Sequence, residues 1–468
     1  MEAVGAERVE NHTGEHVSTS SKKRPGRPPK KIEPEPAIVD AFIMTIFHFF
    51  PSFLAWLKEF PDRRKQDRIT YPREAIVMSA LLILFLRLSS LRQWTLESKK
   101  PTFVCNVNKM LGADLERMPH GDTIEYYLEK IPEEPFLDLR RKMVQRLIRM
   151  KVLDQFRLLG YVLIALDGTG LQVFRHMHCD HCLTASREGK VLYYYHNVLE
   201  AKIVCHNGMA ISIGTEYIEN SDPKASKQDC ELKAFYRLAP RLKRDFPQLS
   251  ICLLLDGLFA AGPVFDLCEK LRWKFIITFK EGSMPVQWEE FEALKKLSTQ
   301  NYHRHQPLPH ICQRFRWVDY LPYQGHSLKV IECKEENKNS GDKKTFVWLT
   351  TCDVGHNCIV ALANKGGRLR WKIENEGFND QKNGGFELEH AYSTHHTAMK
   401  IFYLLIQAAH LLSQLILKGN LLGNFKAAFG SVKNFVMRLR EQFRYEIVSD
   451  TAADVSLAST FQIRLDSS

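Results

Sequence analysis

Residues 161–170 read YVLIALDGTG, and residues 250–259 read SICLLLDGLF. Each is a short apolar run that stops at an Asp-Gly pair. An unbroken apolar run predicts a strand covered on both faces, as in the parallel part of an α/β sheet. The Asp-Gly that ends it predicts a turn. Asp167 and Asp256 then stand at the carboxyl ends of two buried strands, where such sheets present side chains to ligands. A carboxylate there is costly unless it is paired or bound to a cation. One Asp-Gly after a strand is an ordinary turn, whereas two matched ones in one domain point to a shared site.

The flanking sequence extends this pattern. YYYHNVLEAKIVCH (193–206) and MAISIGTEYI (209–218) read as strands, Cys230–Leu242 and Gly262–Leu271 as helices, and KFIITFK (274–280) as a third buried strand. Alternating strands and helices predict an α/β core. Residues 281–345 mix aromatic and charged residues and contain FRWVDYLPY (315–323) and SLKVIECK (327–334), expected as antiparallel strands in a mainly β insertion. TFVWLTTCD (345–353) returns to a buried strand. Lys365–Lys382 and Thr397–Leu417 read as helices. The expected organisation is a disordered basic tail (1–36), a helical region (37–156), a core domain (157–415) and a C-terminal helical segment with a polar tail (416–468).

The chain has 468 residues, 44% hydrophobic and 25% charged, as in soluble globular proteins. A net charge of +11 favours a polyanionic partner, through release of counterions from phosphates. Membrane surfaces are also anionic, so charge alone does not choose between them. The most apolar run, IVMSALLILFL (76–86), is shorter than the roughly 20 residues that span a bilayer and predicts a buried helix, with no membrane partner. Eleven scattered Cys, an odd number, argue against a disulfide framework and for a reducing cytosol.

A third acidic element is RWKIENEGFN (370–379). On an α-helix, Arg370, Glu374 and Gln381 fall close to one face, with Lys382 slightly round from it. Such a face suits a metal bound next to a phosphate backbone; the plainer alternative is a solvated helix with an Arg370–Glu374 ion pair. IALDGT, LLDG and RWKIENEGFN, in this order, resemble the three acidic motifs of DDE transposases of bacterial insertion sequences. That family shares the RNase H-like fold of retroviral integrases. Its third motif is Y-x2-R-x3-E-x6-K, and Arg370 and Glu374 match the R-x3-E step. The Tyr position falls on Gly367, and the Lys position on Gln381, with Lys382 one residue on.

The resemblance implies an RNase H-like catalytic core with a β insertion between the second and third acids. It also implies metal-dependent DNA cleavage at transposon ends followed by strand transfer into target DNA. Asp167, Asp256 and Glu374 would bind Mg²⁺ or Mn²⁺, with Glu376 the runner-up for the third place, and Arg370 and Lys382 would hold phosphate. DNA is the implied partner, bound by a homodimer in the bacterial cytoplasm at the nucleoid. A transposase-derived DNA-binding protein without activity and a nuclease of the same fold are the alternatives.

Three further features bear on function. KKRPGRPPKK (22–31) resembles an AT-hook: Gly26, Arg27 and Pro28 would enter an A·T minor groove while Arg24, Lys30 and their neighbours contact phosphates. The alternatives are a basic, Pro-rich solvated tail or a targeting signal in a cell with a nucleus. HMHCDHC (176–182) places Cys179 and Cys182 at zinc-ligand spacing, with His178, His181 or His196 to complete a tetrahedron. No second Cys-x2-Cys exists, so a polar hairpin with partly buried thiols is the alternative. A helix-turn-helix in residues 60–130 is expected to read DNA ends, with residues 122–124 capping its second helix. Trp317, Trp348 and Trp371 read first as core residues.

Overall fold

The computed structural model describes residues 37–65, 67, 69–220, 227–423, 428–454 and 461–467. The AT-hook-like segment, with Arg24, Gly26, Arg27 and Lys30, lies outside them.

The first described part is helical: α1 (Ile38–Phe49), α2 (Phe53–Lys58), α3 (Arg73–Phe85), α4 (Leu91–Glu97), α5 (Pro101–Leu111), α6 (Gly121–Lys130) and α7 (Glu134–Arg149). Every residue of α3 from Ala75 to Phe85 is buried, and each fully buried Leu or Ile contributes roughly 2 kcal/mol. Helix α6 is capped two residues before the expected stretch: the His120 ring accepts from Asp122 N at 3.2 Å, so residues 122–124 lie inside the helix.

A ten-stranded, mostly antiparallel sheet follows. It comprises β1 (Val162–Phe174), β2 (Leu183–Arg187), β3 (Lys190–Val204), β4 (Ala210–Ile218), β5 (Ile251–Leu255), β6 (Lys274–Thr278), β7 (Tyr302–Leu308), β8 (Ile311–Tyr323), β9 (His326–Asn337) and β10 (Lys343–Thr350). Helices α8 (Glu231–Asp245) and α9 (Gly262–Leu271) connect β4 to β5 and β5 to β6, and α10 (Pro285–Leu297) precedes β7. Strand β1 runs antiparallel to β3 and parallel to β5, which runs parallel to β6. Strand β4 flanks β3 on the far side from β1. The insertion does not form a separate sheet. Its strands β7, β8 and β9 are antiparallel neighbours that join the main sheet through β10, which pairs with β6.

Alternation along the central strands sorts their side chains into two cores. Val162, Ile164 and Leu166 of β1, with Ile251, Leu253 and Leu255 of β5, belong to the large core that also takes in α1, α3 and α13 (His396–Lys418). Leu163 and Ala165, with Cys252 and Leu254, belong to a second core on the other face, which takes Ile359 and Leu362 of α11 (Ile359–Asn364). Helix α13 is long and apolar enough to cross a bilayer, but 89% of its most apolar window is buried inside the protein. It is the central helix of the large core, packed on α3, α6, α7 and β4.

Lys365–Lys382 is not one α-helix. It is a 3₁₀ turn (Gly367–Arg370), a π-helix (Ile373–Asn379) and a short α-helix, α12 (Asp380–Asn383). Leu369, Ile373 and Phe378 bury into the second core, and the wider π turn keeps these residues facing it. A Cβ on Gly377 would stand 3.1 Å from Lys202 Cδ, and one on Gly367 would run into the Trp348 indole. The C-terminal segment contributes the amphipathic helix Val432–Tyr445, with Phe435, Leu439 and Phe443 in the large core.

Candidate active site

The paired register of β1 and β5 ends at Ala165 opposite Leu254. Asp167 and Asp256 each lie two residues further on. Because side chains repeat every second residue along a strand, both acids project on the face of Ala165 and Leu254, the face that carries the third-motif helices. Asp256 also caps the turn Gly257–Phe259, accepting from Leu258 N at 2.9 Å. This gives the second Asp-Gly its local reason as well as its place in the site.

Glu374 reaches this face from the π-helix. Arg370 bridges the two elements, with Nη1 3.1 Å from Asp167 Oδ2 and Nη2 2.8 Å from Glu374 Oε1. The Asp167 side chain is 21% exposed and that of Arg370 13%. Burial raises the Asp167 pKa, Arg370 opposes it, and the charge and hydrogen bond of Glu374 add to the rise, which reaches about 7.

The sequence reading missed a fourth carboxylate. Glu231 opens α8, and a Cβ placed on Gly168 would come within 2.1 Å of its Oε1. A side chain at 168 would displace the Glu231 carboxylate, and the turn expected after Asp167 is absent: β1 runs on through Gly168 to Phe174, paired with β3. Burial and the nearby Asp256 raise the Glu231 pKa, and the Glu231 charge in turn acts on Asp167. A lone Glu at the start of a helix carries no distinguishing sequence signal, and only the fold brings it here.

No family model matches this chain. A search of curated proteins likewise finds no match. The geometry therefore stands on its own residues.

Other expected residues lie elsewhere. Gln381 is fully buried, bonded to Gln407 (2.8 Å) and to His410 Nδ1 (3.1 Å), with Lys202 Nζ 2.5 Å from the same Gln407 oxygen. A lysine at 381 would add a cation to a network that already buries Lys202, which explains a neutral amide there. Lys382 pairs with Glu389 at 2.7 Å, and Glu376 pairs with Lys372. Trp317 and Trp348 are core residues as expected, but Trp371 is 58% exposed, with the Arg370 guanidinium 5.8 Å from its ring centroid. Its neighbours on the π-helix fill the core position, so the indole faces solvent beside the acids.

On the far half of β1, Cys179, Cys182 and His196 come together, while His178 bonds the Thr394 carbonyl at 2.7 Å. His181, Glu219 and His396 form an adjacent group. Burial opposes ionisation of Glu219, but bonds from His396 (2.6 Å) and Lys400 (2.7 Å) outweigh it and hold its pKa at about 2. In the helical region, a cleft of about 910 Å³ is lined by Lys99, Lys109, Arg117 and His120, well apart in sequence from the acids.

Proposed function

We propose that the chain is a DDE transposase that cleaves DNA at the ends of a mobile element and joins the freed 3′ ends to target DNA. The observation that carries this reading is the matched position of Asp167 and Asp256 on two parallel neighbouring strands, with Glu374 tied to Asp167 through Arg370. The core is read as RNase H-like: two antiparallel strands, β3 and β4, lie to one side of β1, and two parallel strands, β5 and β6, to the other.

The donor set fits Mg²⁺ or Mn²⁺, because it offers carboxylate oxygens and neither thiol nor imidazole. Arg370 pairs with both Asp167 and Glu374 in a half-buried site, and the Glu231 charge acts on Asp167, an arrangement that divalent cations relieve. Two such ions would supply an activated attacking oxygen and charge relief at the leaving oxygen. Asp167, Asp256 and Glu374 would hold them, with the Glu231 carboxylate acting on Asp167. Arg370 would then leave its carboxylates and bind a backbone phosphate, which a guanidinium grips with two parallel hydrogen bonds. Trp371 is placed to stack on an unpaired base at a DNA end. The net charge of +11 favours DNA over a neutral partner. Two copies acting as a homodimer in a bacterial cytoplasm would hold a pair of ends.

The test is Mn²⁺ binding followed by electron paramagnetic resonance, beside cleavage of plasmid DNA in Mn²⁺. The wild-type chain should bind Mn²⁺ and nick DNA, and Asp256→Ala and Glu374→Gln should lose both. DNA binding without cutting, equal in all three proteins, would instead identify a DNA-binding derivative of such an enzyme.

A further inference from the structure

We propose that Cys179, Cys182 and His196 form a zinc site that clasps the β1–β2 connection to β3. The three ligand atoms form a nearly equilateral triangle: Sγ to Sγ is 3.7 Å, and each Sγ lies 3.5 Å from His196 Nε2. A tetrahedral zinc with Zn–S of about 2.3 Å and Zn–N of about 2.0–2.1 Å requires S···S of about 3.8 Å and S···N of about 3.5–3.6 Å. All three edges agree with this to about a tenth of an ångström. The same separation is far from a disulfide, whose sulfurs lie about 2.05 Å apart.

A second observation is independent of this triangle. His196 is 2% exposed; its Nδ1 has no hydrogen-bond partner among the described residues, and its Nε2 meets only the two thiols. Thiols are weak partners, so a buried imidazole in this setting is poorly satisfied. A metal ion between the three atoms would give Nε2 a strong partner in place of two weak ones.

The fourth position suits His178, the residue before Cys179. Its Nε2 donates to the Thr394 carbonyl, which leaves Nδ1 with the free lone pair. Metal-bound histidines are oriented in this way, by a bond from the other ring nitrogen to a carbonyl. His178 Nδ1 does not lie with the other three ligand atoms, so a shift of the loop would have to bring it there. Two thiols lose their protons as the ion binds, so the site takes up Zn²⁺ and releases two protons.

The clasp lies between parts of the fold that belong to different segments. Strand β1 carries Asp167 near its middle and leads into the clasp at its carboxyl end. Gln172 donates to the Ser393 carbonyl at 3.2 Å and Asn220 to the Cys182 carbonyl at 3.0 Å. Zinc would thus pin the outer half of β1 and the hairpin beyond it against the segment that leads into α13. Its role is structural, and it does not depend on the transposase reading.

The experiment is metal analysis of the full-length chain purified under reducing conditions, with cobalt substitution followed by absorption spectroscopy. One zinc per chain and a thiolate-to-cobalt charge-transfer band are expected. Cys179→Ser, in a half-exposed loop position that tolerates the change, should lose the band and the zinc, and His178→Ala should weaken metal binding at least about tenfold. Cys230→Ser, an exposed cysteine away from the cluster, should keep both. A wild-type chain that carries no zinc and gives no cobalt band, or a Cys179→Ser chain that keeps its zinc, would overturn the proposal. Mn²⁺-dependent DNA cleavage is a separate readout, so the failure of either proposal is distinguishable from the failure of the other.

Discussion

Replacing Asp167 with Asn should stabilise the metal-free protein while abolishing its activity. The Asp167 carboxylate is four-fifths buried beside Glu374 and Glu231, and burial followed by these charges raises its pKa from 3.8 to about 7 despite Arg370. At 1.36 kcal/mol per pH unit, this corresponds to a cost of about 4 kcal/mol once the group is ionised. A raised pKa in the folded state means that bound protons favour folding. That contribution is complete below about pH 4 and is lost as the pH rises through 7. The wild-type chain therefore bears the full cost at pH 8 and about a third of it at pH 5, whereas Asn bears none. An unfolding entropy of about 2.1 cal/mol/K per residue gives roughly 1 °C per kcal/mol for a chain of this length. Thermal unfolding with chelator should thus place Asp167→Asn about 4 °C above wild type at pH 8 and 1–2 °C above it at pH 5. Adding Mg²⁺ should raise the wild-type Tm and leave the variant unmoved. A variant no more stable than wild type at pH 8, or equally favoured at both pH values, would refute the reasoning.

Gln381→Lys, which puts the lysine of the resembled motif at that position, should destabilise the chain by about 3 kcal/mol or more, because it buries a second cation beside Lys202 and His410; urea denaturation measures this, and a change below 1 kcal/mol would contradict the buried network. Glu231→Gln should reduce Mn²⁺ affinity about tenfold without loss of stability, measured by calorimetry; unchanged affinity would remove Glu231 from the site. Trp371→Ala should change stability by less than about 0.5 kcal/mol because the indole is exposed, yet weaken binding to unpaired DNA ends by about 1–3 kcal/mol; equal affinity for such ends would exclude stacking.

The two Asp-Gly runs were legible because a strand buried on both faces leaves an unbroken apolar signature, and the matched registers of β1 and β5 follow from it. The insertion strands were legible as strands but not as part of the main sheet, since pairing through β10 is a long-range contact that no local pattern records. The third motif was read as an α-helix, and the structure makes it a 3₁₀ turn, a π-helix and a short α-helix. An α-helical wheel keeps Arg370 and Glu374 adjacent, as observed, but the π turn after Lys372 shifts the phase and sends Gln381 into the core. Trp371 looked like a core residue because composition cannot tell which side of a helix carries an indole. Glu231 was invisible for the complementary reason, because its role exists only where α8 meets Gly168.

The measurement that tests the central claim most directly is cleavage of labelled DNA carrying the inverted repeats that flank the gene, with Mg²⁺ or Mn²⁺, for wild type and Asp256→Ala. The account predicts cuts at the repeat ends that free 3′-hydroxyls, lost in Asp256→Ala and on adding chelator. Cleavage that persists in Asp256→Ala, or repeat DNA that the wild-type chain binds and leaves intact, would contradict it.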